Sequence, residues 1–306
     1  MPVMPQNLLN LNAEQMKKLL NAFETILVDC DGVLWYDDQP IPQTSETINA
    51  LLDQSKNIYF VTNNSTKTRH ELWLKAQAMN FHVNESNIIS PTYSVASYLK
   101  THLIDGKAYV IGSEALAKEL TAMNVEFFGP GPDFNECTLL ETIESVDKQS
   151  NEENIQAVIV GFDEHFSYKK ILKACNFMRN NKNCMFLATN NNTVAKYPDY
   201  NIPDTGALVA AVEACVERKA LIMGKPNRSV ADQLINEGLI NPANTLMIGD
   251  CAKIDVVFGK NCGFSTLLVG TGRYQWKHVQ KFFELKHFQY IPDFYIPSLG
   301  DFKQCL

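Results

Sequence analysis

Short runs of β-branched and aromatic residues alternate along the chain with stretches whose apolar positions recur at helical spacing. That alternation predicts an α/β protein built on parallel sheet. "TILVD" (25–29) predicts a first strand, "NIYFVTNN" (57–64) a second and "NIISP" (87–91) a short third. Helices are predicted over "TSETINALLDQS" (44–55), "TKTRHELWLKAQAMN" (66–80) and "YSVASYLKTHL" (93–103). The N-terminal stretch reads as a short tail and then an amphipathic helix. Strand and helix units restart near residue 105, with strands over "KAYVIGS", "QAVIVGF" and "CMFLATNNN" and helices over "SEALAKELTAMN" and "YKKILKACNFMRNN". Gly129, Pro130, Gly131 and Pro132 mark a loop, and the polar stretch 133–155 is expected to be irregular surface chain. "TVAKYPDYNIPDTG" (193–206) has no periodicity and is expected to be a linker or active-site loop. A small-residue helix follows at "ALVAAVEACVERK". Strands are then expected at "ALIMGKP", "NTLMIGD" and "FSTLLVGTG", a helix at "RSVADQLINEGL", and an edge strand with a short helix at "DFYIPSLGDF". The restart near 105 and the linker near 195–205 imply one domain inserted into another.

Composition narrows the function. A chain of 306 residues suits two domains or one large one. Lys plus Arg is 27 against 34 for Asp plus Glu, a formal net charge of -7, and no long basic run is present, which argues against a nucleic-acid partner. No stretch approaches the roughly 18–20 apolar residues of a membrane span, and the N-terminus lacks the pattern of a secretory signal. The eight cysteines form no C-x-x-C pair, so no zinc site is expected, and most of them read as reduced core residues of a cytoplasmic protein. The six histidines are scattered without metal-ligand spacing.

Candidate chemistry sits at four predicted strand ends: Asp29 and Asp31, then Thr62, Asn63 and Asn64, then Gly224, Lys225 and Pro226, then Gly249 and Asp250 with Asp255 following. Each run alone reads equally as a turn or cap. In an open parallel sheet, however, ligands bind outside the carboxyl ends of the strands, and these ends converge. Asp29, Asp31 and Asp250 repel one another unless a cation such as Mg²⁺ sits among them with substrate phosphate. Lys225 supplies fixed positive charge. Thr62, Asn63 and backbone N–H groups opened by Gly32 can donate to phosphate oxygens. One aspartate can attack phosphorus to give an aspartyl-phosphate, and a second, two residues on, can protonate the leaving oxygen and then activate water. For Asp255, metal contact and a helix N-terminal charge both remain open. Cys30 is turned to the opposite side by strand alternation and is expected to pack.

"DCDGVLW", "VTNNSTKTR", "GKP" and "IGD" resemble the four motifs of the haloacid dehalogenase superfamily of phosphatases. The "DGVLW" and "NNST" forms and the long insert resemble its subgroup with the C2 cap, which holds 4-nitrophenylphosphatases, phosphoglycolate phosphatase and pyridoxal phosphate phosphatase. The resemblance implies a Rossmann-like doubly wound parallel sheet core, residues 1–103 and 205–306, with an inserted α/β C2-type cap, residues 104–204. It implies Asp29 as nucleophile and Asp31 as general acid/base. Mg²⁺ would be held by side-chain oxygens of Asp29 and Asp250 and by the backbone carbonyl of Asp31. Phosphate would be held by Thr62, Asn63, Asn64 and Lys225. The substrate would be a small phosphorylated metabolite, phosphoglycolate-like or an aryl phosphate, and the family's cap often mediates a homodimer. Cys251 and Lys253 in "GDCAKID", Asp204 in "PDTG" and Asn192 depart from the family's usual residues. These departures motivate an alternative, a weakly active paralogue that binds a phosphometabolite or a protein.

Overall fold

A computed structural model of the protein describes residues 3–103, 105–134, 137–196 and 200–305. Thr25–Val28, buried at every position, forms an inner strand of a seven-stranded parallel sheet. The order across that sheet is Gln6–Asn7, Phe294–Ile296, Ser265–Val269, Thr245–Gly249, Thr25–Val28, Asn57–Val61, Ile88–Ile89. Val28 lies between Ile248 and Phe60 in register. The strands are continuously apolar because both faces are covered. Ile26 and Val28 point into one core with Met16, Leu20, Ile48, Leu51 and Leu72 from three helices. Leu27 points the other way, with Val230, Ala231 and Phe258. The fold is therefore α/β, a doubly wound parallel sheet. The chain runs to one side of Thr25–Val28 with Asn57–Val61 and returns on the other with Thr245–Gly249, so the carboxyl ends of these strands frame the crevice where such sheets bind ligands.

The chain forms two compact units. The first takes the described residues of Met1–Thr62, His70–Ile89 and Lys225–Leu306, and the second Asn63–Arg69 and Ser90–Gly224. The second has its own five-stranded parallel sheet, in the order Leu221–Ile222, Met185–Ala188, Ile155–Val160, Lys107–Ile111, Phe127–Phe128. Its limits lie outside 104 and 204 because two flanking helices pack on this sheet. Val95 and Leu99 of Pro91–His102 cover one face, and Val209 and Val212 of Thr205–Val216 cover the other.

Four sequence expectations need correction. Residues 139–152 form a helix, Leu139–Glu152, entered through a capping box of Thr138 and Glu141. Its polar composition hides a face that buries Thr142 and Val146. The stretch expected to be a linker contains an antiparallel ribbon, Val194–Lys196 with Asn201–Pro203, whose connecting residues 197–199 lie outside the described residues. Phe294–Ile296 is not the edge, because Gln6–Asn7 pairs outside it. The strand before Lys225, Leu221–Ile222, pairs with Met185–Ala188 in the second sheet and not with the core strands. Among the described residues, no helix is long and apolar enough to cross a membrane.

Candidate active site

Asp29 extends the central strand by one ladder bond, its N–H donating to the carbonyl of Ile248 at 2.9 Å. The chain then turns tightly: the Cys30 carbonyl accepts from the N–H groups of Val33, Leu34 and Trp35. Gly32 takes φ +85°, a backbone conformation that calls for glycine, and a Cβ there would also crowd Asp250 Oδ2 at 3.1 Å. Asp250 follows Thr245–Gly249, and its Oδ2 accepts the N–H of Arg273 at 2.6 Å. A Cβ at Gly272 would overlap that same oxygen. Asp255 sits in a single π-type turn, Ala252–Val256, where its N–H donates to the Cys251 carbonyl at 2.7 Å.

Lys225 joins these carboxylates. Its Nζ lies 2.8 Å from Asp29 Oδ1 and 2.7 Å from Asp255 Oδ1. Asp29 Oδ1 also accepts the N–H of Cys30 at 2.8 Å, and Asp255 Oδ2 the N–H of Cys251 at 2.9 Å. Among the described residues, Asp29, Asp250 and Asp255 form the one group that brings three carboxylate oxygens within 4.8 Å of one another. Burial, then the charge of Asp255, pushes the Asp29 carboxyl well above its ordinary range, against the pull of Lys225. Burial and Asp255 push Asp250 up to about 6. Burial alone would lower the Lys225 ammonium, but Asp255 and Asp29 outweigh it and hold the charge. Once deprotonated, three carboxyl groups against one lysine leave net negative charge in a largely buried place. Oxygen-only donors with excess negative charge fit a hard divalent cation such as Mg²⁺.

The raised carboxyl groups make metal-free stability depend on pH. The folded-state pKa of Asp250, about 6, lies above the unfolded value, so its contribution is full below about pH 4 and is lost as pH rises through about 6. Asp29 acts in the same direction. The metal-free protein is expected to lose roughly 2–3 kcal/mol through Asp250 between about pH 4 and pH 7.5. Denaturant melts of wild type and Asp250→Asn check this. The difference between the two proteins should change with pH, and parallel profiles would contradict it.

The structure thus brings together Asp29, Lys225 and Asp250, and adds Asp255, whose oxygens face Lys225 and Cys251. The side chain of Asp31 is not in the carboxylate group. It is exposed, and its Oδ1 accepts the indole N–H of Trp35 at 3.0 Å. Thr62 is buried just past Asn57–Val61, its N–H donating to the Ile89 carbonyl at 3.1 Å. Asn63 and Asn64 belong to the second unit, where the Asn63 carbonyl accepts from Asn190 Nδ2 at 3.0 Å and Asn64 Oδ1 accepts the N–H of Thr66 at 2.9 Å. Asp204 caps Thr205–Val216, its Oδ1 taking the Thr205 N–H at 2.6 Å. Burial pushes the Cys251 thiol up to about 12, and Lys253 Nζ lies 5.7 Å from the centre of the Tyr290 ring. The N–H of Asn192 donates to Asn190 Oδ1 at 3.0 Å. Cys30 is packed. Sequence reasoning did not find the bond between Trp35 and Asp31, for which no sequence signal exists.

Comparison with known proteins covers the same residues. A model described as haloacid dehalogenase-like hydrolase matches residues 26–126, and a HAD-hydrolase-like model matches residues 222–302. The chain is 36% identical to glycerol-3-phosphate phosphatase of Rattus norvegicus over 97% of its own length and 95% of that protein's. It is 32% identical to chloroplastic phosphoglycolate phosphatase 1A of Arabidopsis thaliana, over 98% and 82% respectively. The crystal structure of 4-nitrophenylphosphatase from Thermotoga maritima is similar with a TM-score of 0.76 and 25% identity, covering 94% of this chain and 98% of that one.

Proposed function

Because the chain belongs to the haloacid dehalogenase-like hydrolases and is a phosphoric monoester hydrolase, we propose that it cleaves small phosphorylated metabolites with Mg²⁺ through a phosphorylated Asp29. Phosphoglycolate-like esters, glycerol phosphate and aryl phosphates are the substrates to test first. The observation that carries the proposal is the Asp29 carboxylate at the end of the central strand, fixed by Lys225 and the Cys30 N–H beside Asp250. Two donors on Oδ1 hold the carboxyl in one orientation, as an in-line attack on phosphorus requires.

Asp29 and Asp250 are the residues to hold the metal, with Asp255 behind them, since both its oxygens are already bonded. Bound there, Mg²⁺ supplies positive charge for the phosphoryl oxygens. Asp29 attacks phosphorus, the ester P–O bond breaks, and Asp31 gives its proton to the leaving oxygen. Asp31, now a carboxylate, takes a proton from water as that water attacks the phosphorylated Asp29. Phosphate departs and both side chains return to their starting forms. Lys225 eases ionisation of Asp29 against its burial and faces the charge that develops on the phosphoryl group.

EDTA is expected to abolish release of 4-nitrophenol from its phosphate ester, and Mg²⁺ to restore it. Ca²⁺, with longer bonds and looser coordination, is expected not to. Undiminished turnover in thoroughly chelated buffer would remove the metal from the mechanism.

A further inference from the structure

Asp31 is exposed and stands beyond the end of its strand, where a carboxylate side chain rotates freely unless something holds it. A general acid has to meet the leaving oxygen within hydrogen-bond distance, so free rotation would be a defect. The molecule supplies a holder. Trp35 donates its indole N–H to Asp31 Oδ1 at 3.0 Å, and its own carbonyl accepts the N–H of Gly32 at 2.8 Å. The turn between the two residues is further fixed by the three bonds to the Cys30 carbonyl.

Trp35 cannot follow a wandering carboxylate. It is 1% exposed and packs edge-on against Phe60 and Phe81, with ring centres 6.1 and 5.9 Å away. A buried indole finds a partner for its N–H, and here the partner is a solvent-facing aspartate. Lys75 Nζ lies 5.0 Å from the centre of the indole ring. A cation there is attracted to the face of the ring and helps to fix the indole in place.

We propose that Trp35 is a positioning residue for Asp31, holding Oδ1 as an acceptor so that the transferable proton sits on Oδ2 and is aimed at the leaving group. This rests on the reading of Asp31 as general acid. Indole N–H donates and cannot accept. When Asp31 is neutral, its carbonyl oxygen is the better acceptor and faces Trp35, which leaves the hydroxyl on Oδ2. When Oδ2 gives up its proton to the leaving oxygen, the same bond holds the carboxylate for the water step.

Leaving groups provide the test. An alkoxide from glycerol phosphate needs a proton as it departs, whereas 4-nitrophenolate does not. Because kcat/KM reports only the steps through the first phosphoryl transfer, Trp35→Phe is expected to lower kcat/KM for glycerol phosphate about tenfold to a hundredfold. For 4-nitrophenyl phosphate it should stay within about threefold. Incorporating 3-benzothienylalanine at position 35 keeps the bicyclic shape without the donor and should reproduce the split even if Trp35→Phe folds poorly. Equal losses on both esters in both proteins would make Trp35 a packing residue and overturn the proposal. Asp31→Asn separates the two levels: it should show a larger split still. If it does so while the Trp35 proteins do not, only the positioning role fails. If Asp31→Asn itself shows no split, the general-acid reading fails and takes the proposal with it.

Discussion

Asp29→Asn is expected to reduce kcat on any phosphate ester about ten-thousandfold or more while leaving the fold intact. The amide oxygen is neutral and a poor nucleophile, and it is a weaker metal donor than a carboxylate. Its position changes little, because that oxygen still accepts from the Cys30 N–H and from Lys225. Stability should not suffer. Burial pushes the Asp29 carboxyl up, which means that the charged form is disfavoured in the metal-free protein. A neutral amide removes that desolvation penalty, so the thermal midpoint without Mg²⁺ should match or exceed that of wild type. Kinetics on 4-nitrophenyl phosphate, with melts of the same preparation, measure both. A variant that retains more than about a tenth of the wild-type rate would remove Asp29 as nucleophile.

Lys225→Met is expected to damage stability and rate together. The ammonium is 1% exposed and bonded to Asp29 at 2.8 Å and to Asp255 at 2.7 Å. Methionine fills a similar volume but leaves the buried Asp255 and the partly buried Asp29 without the cation between them. Removing one partner from a buried charge cluster costs about 3–5 kcal/mol. Loss of a fixed cation from the phosphoryl site lowers kcat by about 10²–10³. The double variant Lys225→Met/Asp255→Asn separates these effects. It should recover part of the stability, since one stranded charge is gone, and none of the rate, since the cation is still missing. Denaturant melts near pH 7 are the check. Wild-type stability in Lys225→Met would show that Asp29 and Asp255 do not depend on it.

The parts of the fold that read directly from the sequence are those with strong periodicity. Thr25–Val28, Asn57–Val61 and Thr245–Gly249 are apolar runs bounded by polar strand ends, and sheet burial on both faces makes such runs visible. Pairing partners are not visible in the same way. Leu221–Ile222 is a short apolar run like the others, and only the tertiary structure assigns it to the second sheet. Lys225 reaches the site even though its strand does not belong to the core sheet. Leu139–Glu152 carried a legible signal, the Thr138 and Glu141 capping box, obscured by a mostly polar surface. Asp255 could not be placed from spacing alone, because its two bonds arise from a π-type turn and from a lysine distant in sequence. Trp35 is four residues from Asp31, a helical spacing in a segment that is no helix, so its contact depends on a tight turn no periodicity encodes.

The central claim is that phosphate passes through the Asp29 carboxyl. Acid quenching of the Mg²⁺-loaded enzyme during turnover, followed by borohydride reduction and peptide mass spectrometry, tests it most directly, because borohydride reduces an acyl phosphate to the alcohol. The account predicts homoserine at position 29, dependent on substrate and absent from Asp29→Asn. Homoserine at another aspartate, or none at position 29 in enzyme quenched while an Asp31→Asn block on the water step holds the intermediate, would contradict it.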